Sequence, residues 1–146
     1  MTFYFVIPGE PQGKGRPRFV RKTGMSYTPD KTVAYEELVR QRFLATANGE
    51  RFGDDEPVFV EIIANMAIPK SASKKKQAAM LNGDIRPIKK VDWDNCGKII
   101  CDALNGIAYR DDSQVVDGHV KKYYAETGSV VVIMTDQEGW RDGWMD

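Results

Sequence analysis

Apolar and polar positions divide the 146-residue chain into a series of short strands and helices. Thr2 to Ile7 is β-branched and aromatic and is stopped by Pro8 and Gly9, which predicts a short strand. Phe19-Val20 and Ser26-Tyr27-Thr28 flank Lys22-Thr23-Gly24, so this stretch rich in Gly, Pro and cations is read as holding a hairpin. A helix is expected from Asp30, after Pro29, to Asn48-Gly49, with Val33, Leu38 and Phe43 among its apolar positions. Val58 to Ile68 is a long apolar run ended by Pro69, and its β-branched content makes it a buried strand rather than a helix. Ser73 caps a short helix running through Leu81 and closed by Asn82-Gly83.

Asp92 to Leu104 reads as the second main helix, with Ile99, Ile100, Ala103 and Leu104 as its packing face and Asn105-Gly106 as its stop. Gln114 to Tyr124 and Ser129 to Thr135 are two further strands joined by a turn at Glu126-Thr127-Gly128. The elements make an α+β chain with no internal repeat and no linker. Residues 1–135 are taken as one domain and 136–146 as a tail. The tail is polar apart from Trp140, Trp144 and Met145, and it either docks on a surface or lies disordered.

Composition narrows this picture. At 42% hydrophobic and 29% charged residues the chain has the balance of one soluble globular domain, and at this length roughly two-thirds of the unfolded surface can be buried. Its longest apolar runs, Phe3 to Ile7 and Val130 to Met134, fall far short of the ~20 residues that span a bilayer. The first run lacks a basic flank and a cleavage site, so neither a secretory signal nor a membrane partner is expected. Cys96 and Cys101 make neither a disulfide framework nor a zinc site, and as free thiols they suit a reducing cytoplasm.

The 21 cations and 21 acids sum to a formal charge of zero, but they are unevenly placed. Residues 10–31 hold six Lys and Arg against two acids, and residues 70–90 hold seven against one. Residues 91–117 reverse the sign, with six acids against two cations, and all six acids are Asp. Solvated loops of either sign would account for charge alone. The aspartates ask for more.

Asp92-Trp93-Asp94-Asn95 stands at the mouth of a predicted helix. Two carboxylates at that spacing can converge on one hard cation, and Mg²⁺ or Mn²⁺ takes few protein carboxylates and keeps several waters. Alternatively either acid simply caps the helix. Lys98 lies one turn after Asp94, as an ordinary surface ion pair or as fixed positive charge beside a phosphate. In Asp111-Asp112, on the loop before the next strand, one acid can complete a metal site while the other stays solvated; a polar turn is the alternative. Other chemistries are thin. His119, the one histidine, sits in an alternating strand. Gly13-Lys14-Gly15 lacks the spacing and the Ser/Thr of a Walker loop. Cys96 and Cys101 lie about 140° apart around the predicted helix.

Asp92-Trp93-Asp94-Asn95-Cys96-Gly97-Lys98, Cys101-Asp102-Ala103-Leu104-Asn105 and Asp111-Asp112-Ser113-Gln114-Val115-Val116-Asp117 together resemble the RusA family of Holliday-junction resolvases, whose pattern runs D-x-D-N-x-x-K, F-D-A-L, D-D-x-Q-V-V-D. A looser likeness covers about the first 135 residues. The resemblance implies a small mixed β-sheet packed with two main helices, RusA-like and homodimeric. It also implies catalytic and Mg²⁺-binding roles for Asp92, Asp94 and Asp112, with Mn²⁺ a possible substitute, and a catalytic role for Lys98. Asn95 and Asp102 match the pattern too, and helix start and packing suffice to explain them. Cys101 stands where the family has an aromatic, and the Trp-containing tail has no counterpart.

The implied function is paired cleavage of four-way DNA junctions in recombination and repair, by a bacterial or prophage-encoded enzyme. Lys14, Arg16, Arg18, Lys74, Lys75, Lys76, Lys89 and Lys90 would hold branched DNA by its phosphates. The alternatives are a metal nuclease for other branched DNA, a junction-binding dimer that no longer cuts, and a nucleotide-sugar transferase, for which 146 residues leave little room.

Overall fold

Strand β1 (Thr2–Pro8) buries Phe3, Phe5 and Ile7 and turns Tyr4 to solvent, as its alternation requires. The computed structural model describes residues 1–144, with the side chain of Trp144 left aside; Met145 lies outside the described residues. A two-stranded ribbon follows, β2 (Arg18–Val20) paired antiparallel with β3 (Met25–Tyr27), with Gly24 at φ 68° in the turn. Helix α1 (Asp30–Ala47) ends on Asn48 in the left-handed region, followed by Gly49 at φ 81°. Its buried face is Thr32, Tyr35, Val39, Phe43 and Ala47. Val33, expected among the packing positions, is exposed, because the spacing of four that runs from Tyr35 through Val39 to Phe43 fixes the inward face elsewhere.

Strand β4 (Val58–Ala67) is followed by α2 (Lys74–Leu81), whose N-cap Ser73 accepts a hydrogen bond from the Lys76 amide, and by α3 (Trp93–Ala103). Strands β5 (Val115–Ala125) and β6 (Ser129–Thr135) come next, then the short turn α4 (Gln137–Gly139), which runs on into a π turn over Trp140–Trp144. The four strands β1, β6, β4 and β5 form one mixed sheet in that order. β6 runs antiparallel to both β1 and β4, while β5 is parallel to β4. A parallel neighbour needs a crossover connection, and α2 and α3 supply it.

The strands on either side of Glu126-Thr127-Gly128 are therefore not each other's partners. β4, buried along most of its length, takes the place between β5 and β6. The turn carries the chain across its end, where Gly128 O accepts from the Gly9 amide. Helices α1 and α3 contribute to the single core built on one face of the sheet, in which Phe3 meets Phe43 edge-on at 5.0 Å and Phe52 at 5.2 Å. The tail docks as far as it is described: Asp136 accepts from the Gly139 amide, and Trp140 stacks on Phe59 at 5.0 Å. The fold is α+β, a small mixed sheet with four helices. No described helix is long and apolar enough to cross a membrane.

Candidate active site

Helix α3 buries Cys96, Ile99, Ile100 and Ala103, and this apolar stripe decides which of its residues face outward. Asp92 is the N-cap by backbone geometry, and its carbonyl accepts from the Cys96 amide at 3.0 Å. Its side chain makes no capping bond. The carboxylate instead faces the exposed ammonium of Lys90 at 3.2 Å. Asp94 is in the first turn, where the positive end of the helix dipole favours a carboxylate. Among the described residues Lys98 forms no ion pair, so the surface bridge to Asp94 that i,i+4 spacing allowed is not made. Asp92, Asp94, Lys98 and Asp102 line one cleft of about 450 Å³, together with Lys14 and Arg16 of the loop after β1.

The two acids before β5 divide their labour. Asp111 caps a 3-10 turn (Asp112–Gln114): its carboxylate accepts from the Ser113 amide at 3.0 Å, and the Ser113 hydroxyl, with that amide, holds its pKa below the ordinary value. Gln114 completes the box by accepting from the Arg110 and Asp111 amides while its own amide donates to Gly53 O and Glu56 O. Asp112 ties its backbone by donating to Asn105 Oδ1 at 2.8 Å, and its carboxyl lies against that of Asp102. Its half-buried carboxyl is pushed above the usual carboxylate range by desolvation and by the neighbouring Asp102 carboxyl. Asp112 thus meets Asp102 rather than Asp92 and Asp94. Among the described residues no three carboxylates come close enough to share one ion. Asp102, which helix packing had seemed to explain, links the two groups, since it lines the cleft and touches Asp112.

Lys14, expected on the DNA-binding surface, turns inward. Its ammonium lies 3.0 Å from Glu36 on α1 and 3.3 Å from Asp102 on α3. Burial alone would lower its pKa, but the two carboxylates outweigh that and hold it above the ordinary lysine value. The flanking glycines allow the close approach: a Cβ on Gly13 would stand 2.7 Å from Val91 Cγ2, and one on Gly15 would stand 2.5 Å from Thr32 Oγ1. Lys14 N donates to Asn95 O and Gly15 N to Thr32 Oγ1, so the loop is fastened to both helices. Glu36 carried no motif that could have marked it. The pairing of its helix with the loop is a tertiary fact.

The other cations named from sequence are exposed. Arg16 and Arg18 continue the loop, Lys89 and Lys90 border a second hollow against Asp92, and Lys74, Lys75 and Lys76 form the first turn of α2. Beside them Arg86, which sequence reasoning left out of the DNA-contacting set, stacks on Tyr123 at 3.7 Å and donates to Lys122 O at 2.7 Å, while Lys122 donates to Lys89 O. His119 is exposed and pairs with Asp117 at 2.8 Å. Cys96 and Cys101 are free thiols whose pKa values burial pushes up to about 11, so neither is a nucleophile at neutral pH.

The donor set fits a hard divalent cation. Asp92 and Asp94 offer carboxylates not engaged in capping, and Mg²⁺ needs only one or two of these with waters and phosphate oxygens. Beside these carboxylates stand Lys98 and Arg16, which form no ion pair among the described residues. A model of the family described as endodeoxyribonuclease RusA matches residues 8–135. The chain is also similar to the uncharacterized protein YqaN of Bacillus subtilis (strain 168), with 35% identity over 136 residues covering 90% of this chain and 94% of that protein. The chain belongs to the RusA endodeoxyribonuclease family and, by that membership, to the nucleases. The matched span stops at Thr135, where the Trp-bearing tail begins.

Proposed function

We propose that the protein is a Mg²⁺-dependent, structure-selective endonuclease that resolves four-way DNA junctions as a homodimer. The observation that carries this reading is that Asp92 and Asp94, at the mouth of α3, leave their side chains out of capping and share one cleft with Lys98 and Arg16. Asp92 and Asp94 would hold the metal, with Mn²⁺ its natural substitute, and Asp112, the third carboxylate of the family's pattern, lies against Asp102 and would join them only by moving toward the cleft. When bound, the ion supplies a water of lowered pKa and neutralises charge on the phosphate.

The chain's own residues supply the rest. Lys98, with no counter-ion among the described residues, places fixed positive charge where the phosphate oxygens gather charge. Arg16, in the lining of the same cleft, offers a planar fork to a phosphate. Arg18, Lys89, Lys90 and the α2 lysines 74–76 lie outside the scissile position and contact phosphates without reading sequence. Two such sites related by a twofold axis match the two symmetric cuts that a four-way junction requires.

A labelled four-way junction, a flap and a linear duplex, each incubated with Mg²⁺ and with EDTA, test this. Paired nicks in the junction alone, abolished by EDTA, are the expected result. Equal cutting of the flap would replace the junction with branched DNA in general. No cutting, with junction binding intact, would leave a binding protein.

A further inference from the structure

Helix α3 has a second flank. Opposite the charged cleft, between α3 and β5, lies an apolar slot of about 240 Å³. Val60 and Ile62 of β4 and Val120 of β5 form part of its lining, with Asp94 and His119 the polar side chains. Two glycines keep it open. A Cβ on Gly97 would press against Val120 Cγ2 at 3.2 Å, and one on Gly118 would meet only Val115 Cγ1 at 3.7 Å. Trp93, also in the lining, is 64% exposed, although an indole is among the largest apolar surfaces a chain can hide. Asp94 borders both the slot and the cleft, so its carboxylate stands on a ridge between a hollow lined by Arg16 and Lys98 and an apolar one lined by Trp93.

We infer that the slot receives one unstacked nucleobase of the DNA, stacked on Trp93. This rests on the function proposed above and deepens it. The occupant follows from the two sides of the ridge. A phosphate held beside Arg16 and Lys98 has its own base one sugar away, and the hollow across Asp94 is apolar and walled by an aromatic ring. The π-face of any base satisfies such a surface, so stacking there is tolerant of sequence. It is demanding of structure. In a linear duplex the base must first leave its stack and its pair, whereas at a branch point that cost is reduced. The slot therefore discriminates branched from linear DNA by how readily a base can be presented, and Trp93 is its specificity-determining residue.

Two variants test the assignment without touching the carboxylates or Lys98. Trp93→Ala removes the stacking face, and Gly118→Val fills the slot from a strand position where valine is favoured. Binding to a four-way junction is measured in EDTA, with intact strands and with single abasic nucleotides placed in turn beside the branch. Wild-type protein is expected to lose about tenfold in affinity at one abasic position, the range for one stacked base. Each variant should lose a similar factor on the intact junction and nothing further at that abasic position. Melting curves confirm folding.

Variants that bind the intact junction as wild type does, or that keep the full abasic penalty, overturn the assignment while leaving the nuclease reading untouched. So would variants that sediment as monomers where wild type is a dimer, since the slot would then belong to a second copy's side chain. Wild-type protein that binds no junction in this assay would overturn the slot and the proposed function together.

Discussion

Two pairs of aspartates sit at opposite ends of α3, and they live in different surroundings. At the N-terminal end Asp92 and Asp94 are exposed, close to the helix dipole, and opposed by Lys90 and Lys98. At the C-terminal end Asp102 and Asp112 are half-buried against one another, and the cation nearest to them, Lys14, is shared with Glu36. The first pair is kept out of capping bonds, with Asp92 facing the exposed ammonium of Lys90. The second stores like-charge repulsion that an added positive charge would relieve. The same residue type thus does different work at the two ends, and burial and neighbours set the difference.

The sharpest way to break this contrast is at the exposed end. Asp92→Asn should abolish cleavage of a four-way junction in Mg²⁺, a loss on the order of 10³ or more, while melting temperature and junction binding stay unchanged. Cleavage at the wild-type rate would falsify the metal role. Lys98→Met comes next, with kcat expected to fall about 10²–10³-fold and affinity to change little, as for removal of a fixed donor to developing charge. Single-turnover rates at saturating enzyme separate the two quantities.

Lys14 joins the two halves, and replacing it tests them together. Lys14→Met leaves Glu36 and Asp102 facing each other without a cation and should cost about 1–2 kcal/mol, less than a fully buried pair would. It should also lower kcat about tenfold by loosening the wall that carries Arg16. The salt slope of DNA binding should not move, because Lys14 offers no free charge to a phosphate, and Lys14→Arg should recover most of the stability. A slope reduced by one contact would return Lys14 to the DNA surface. Replacing Lys74, Lys75 and Lys76 by Ala is the opposite case: stability unchanged, salt slope reduced by up to about 0.9 for each lost phosphate contact.

The smallest effect lies at the buried end. Asp112→Asn should raise stability at neutral pH by up to about 1 kcal/mol, even as it removes a carboxylate proposed above for the metal site. The sign follows from the raised pKa: the folded state holds the Asp112 proton more tightly than the unfolded chain does, so ionisation above that pKa destabilises the fold. The advantage of Asn should therefore shrink as the pH falls through the raised Asp112 value and vanish below the ordinary value of 3.8, where both states are protonated. Denaturant curves at neutral and acidic pH measure it.

What was legible in the sequence was local. The apolar positions Ile99, Ile100, Ala103 and Leu104 repeat with the helical period, and all are buried. Ser73 caps α2 and Asn48 closes α1 because cap chemistry acts over a few residues. Asp111 and Asp112 took separate roles, as two adjacent acids must when one side chain is drawn into a turn. The misreadings were long-range. Nothing near Glu36 marks it as a partner for a lysine 22 positions earlier. The meeting of Asp102 with Asp112 depends on how the chain leaves α3, and the placing of β4 between β5 and β6 depends on which strand most needs two neighbours.

β5 is an edge strand, and an open edge is a template on which other chains can pair. Arg86, lying on Tyr123 and bonded to Lys122 O, and Lys89, whose carbonyl takes the Lys122 ammonium, cover that edge with positive charge. Side chains of the segment proposed to contact DNA would then also discourage further copies from pairing along this strand edge. Removing them would change colloidal behaviour and affinity at once, and concentrated protein should stay clear longest when nucleic acid or mutation has not yet neutralised that border.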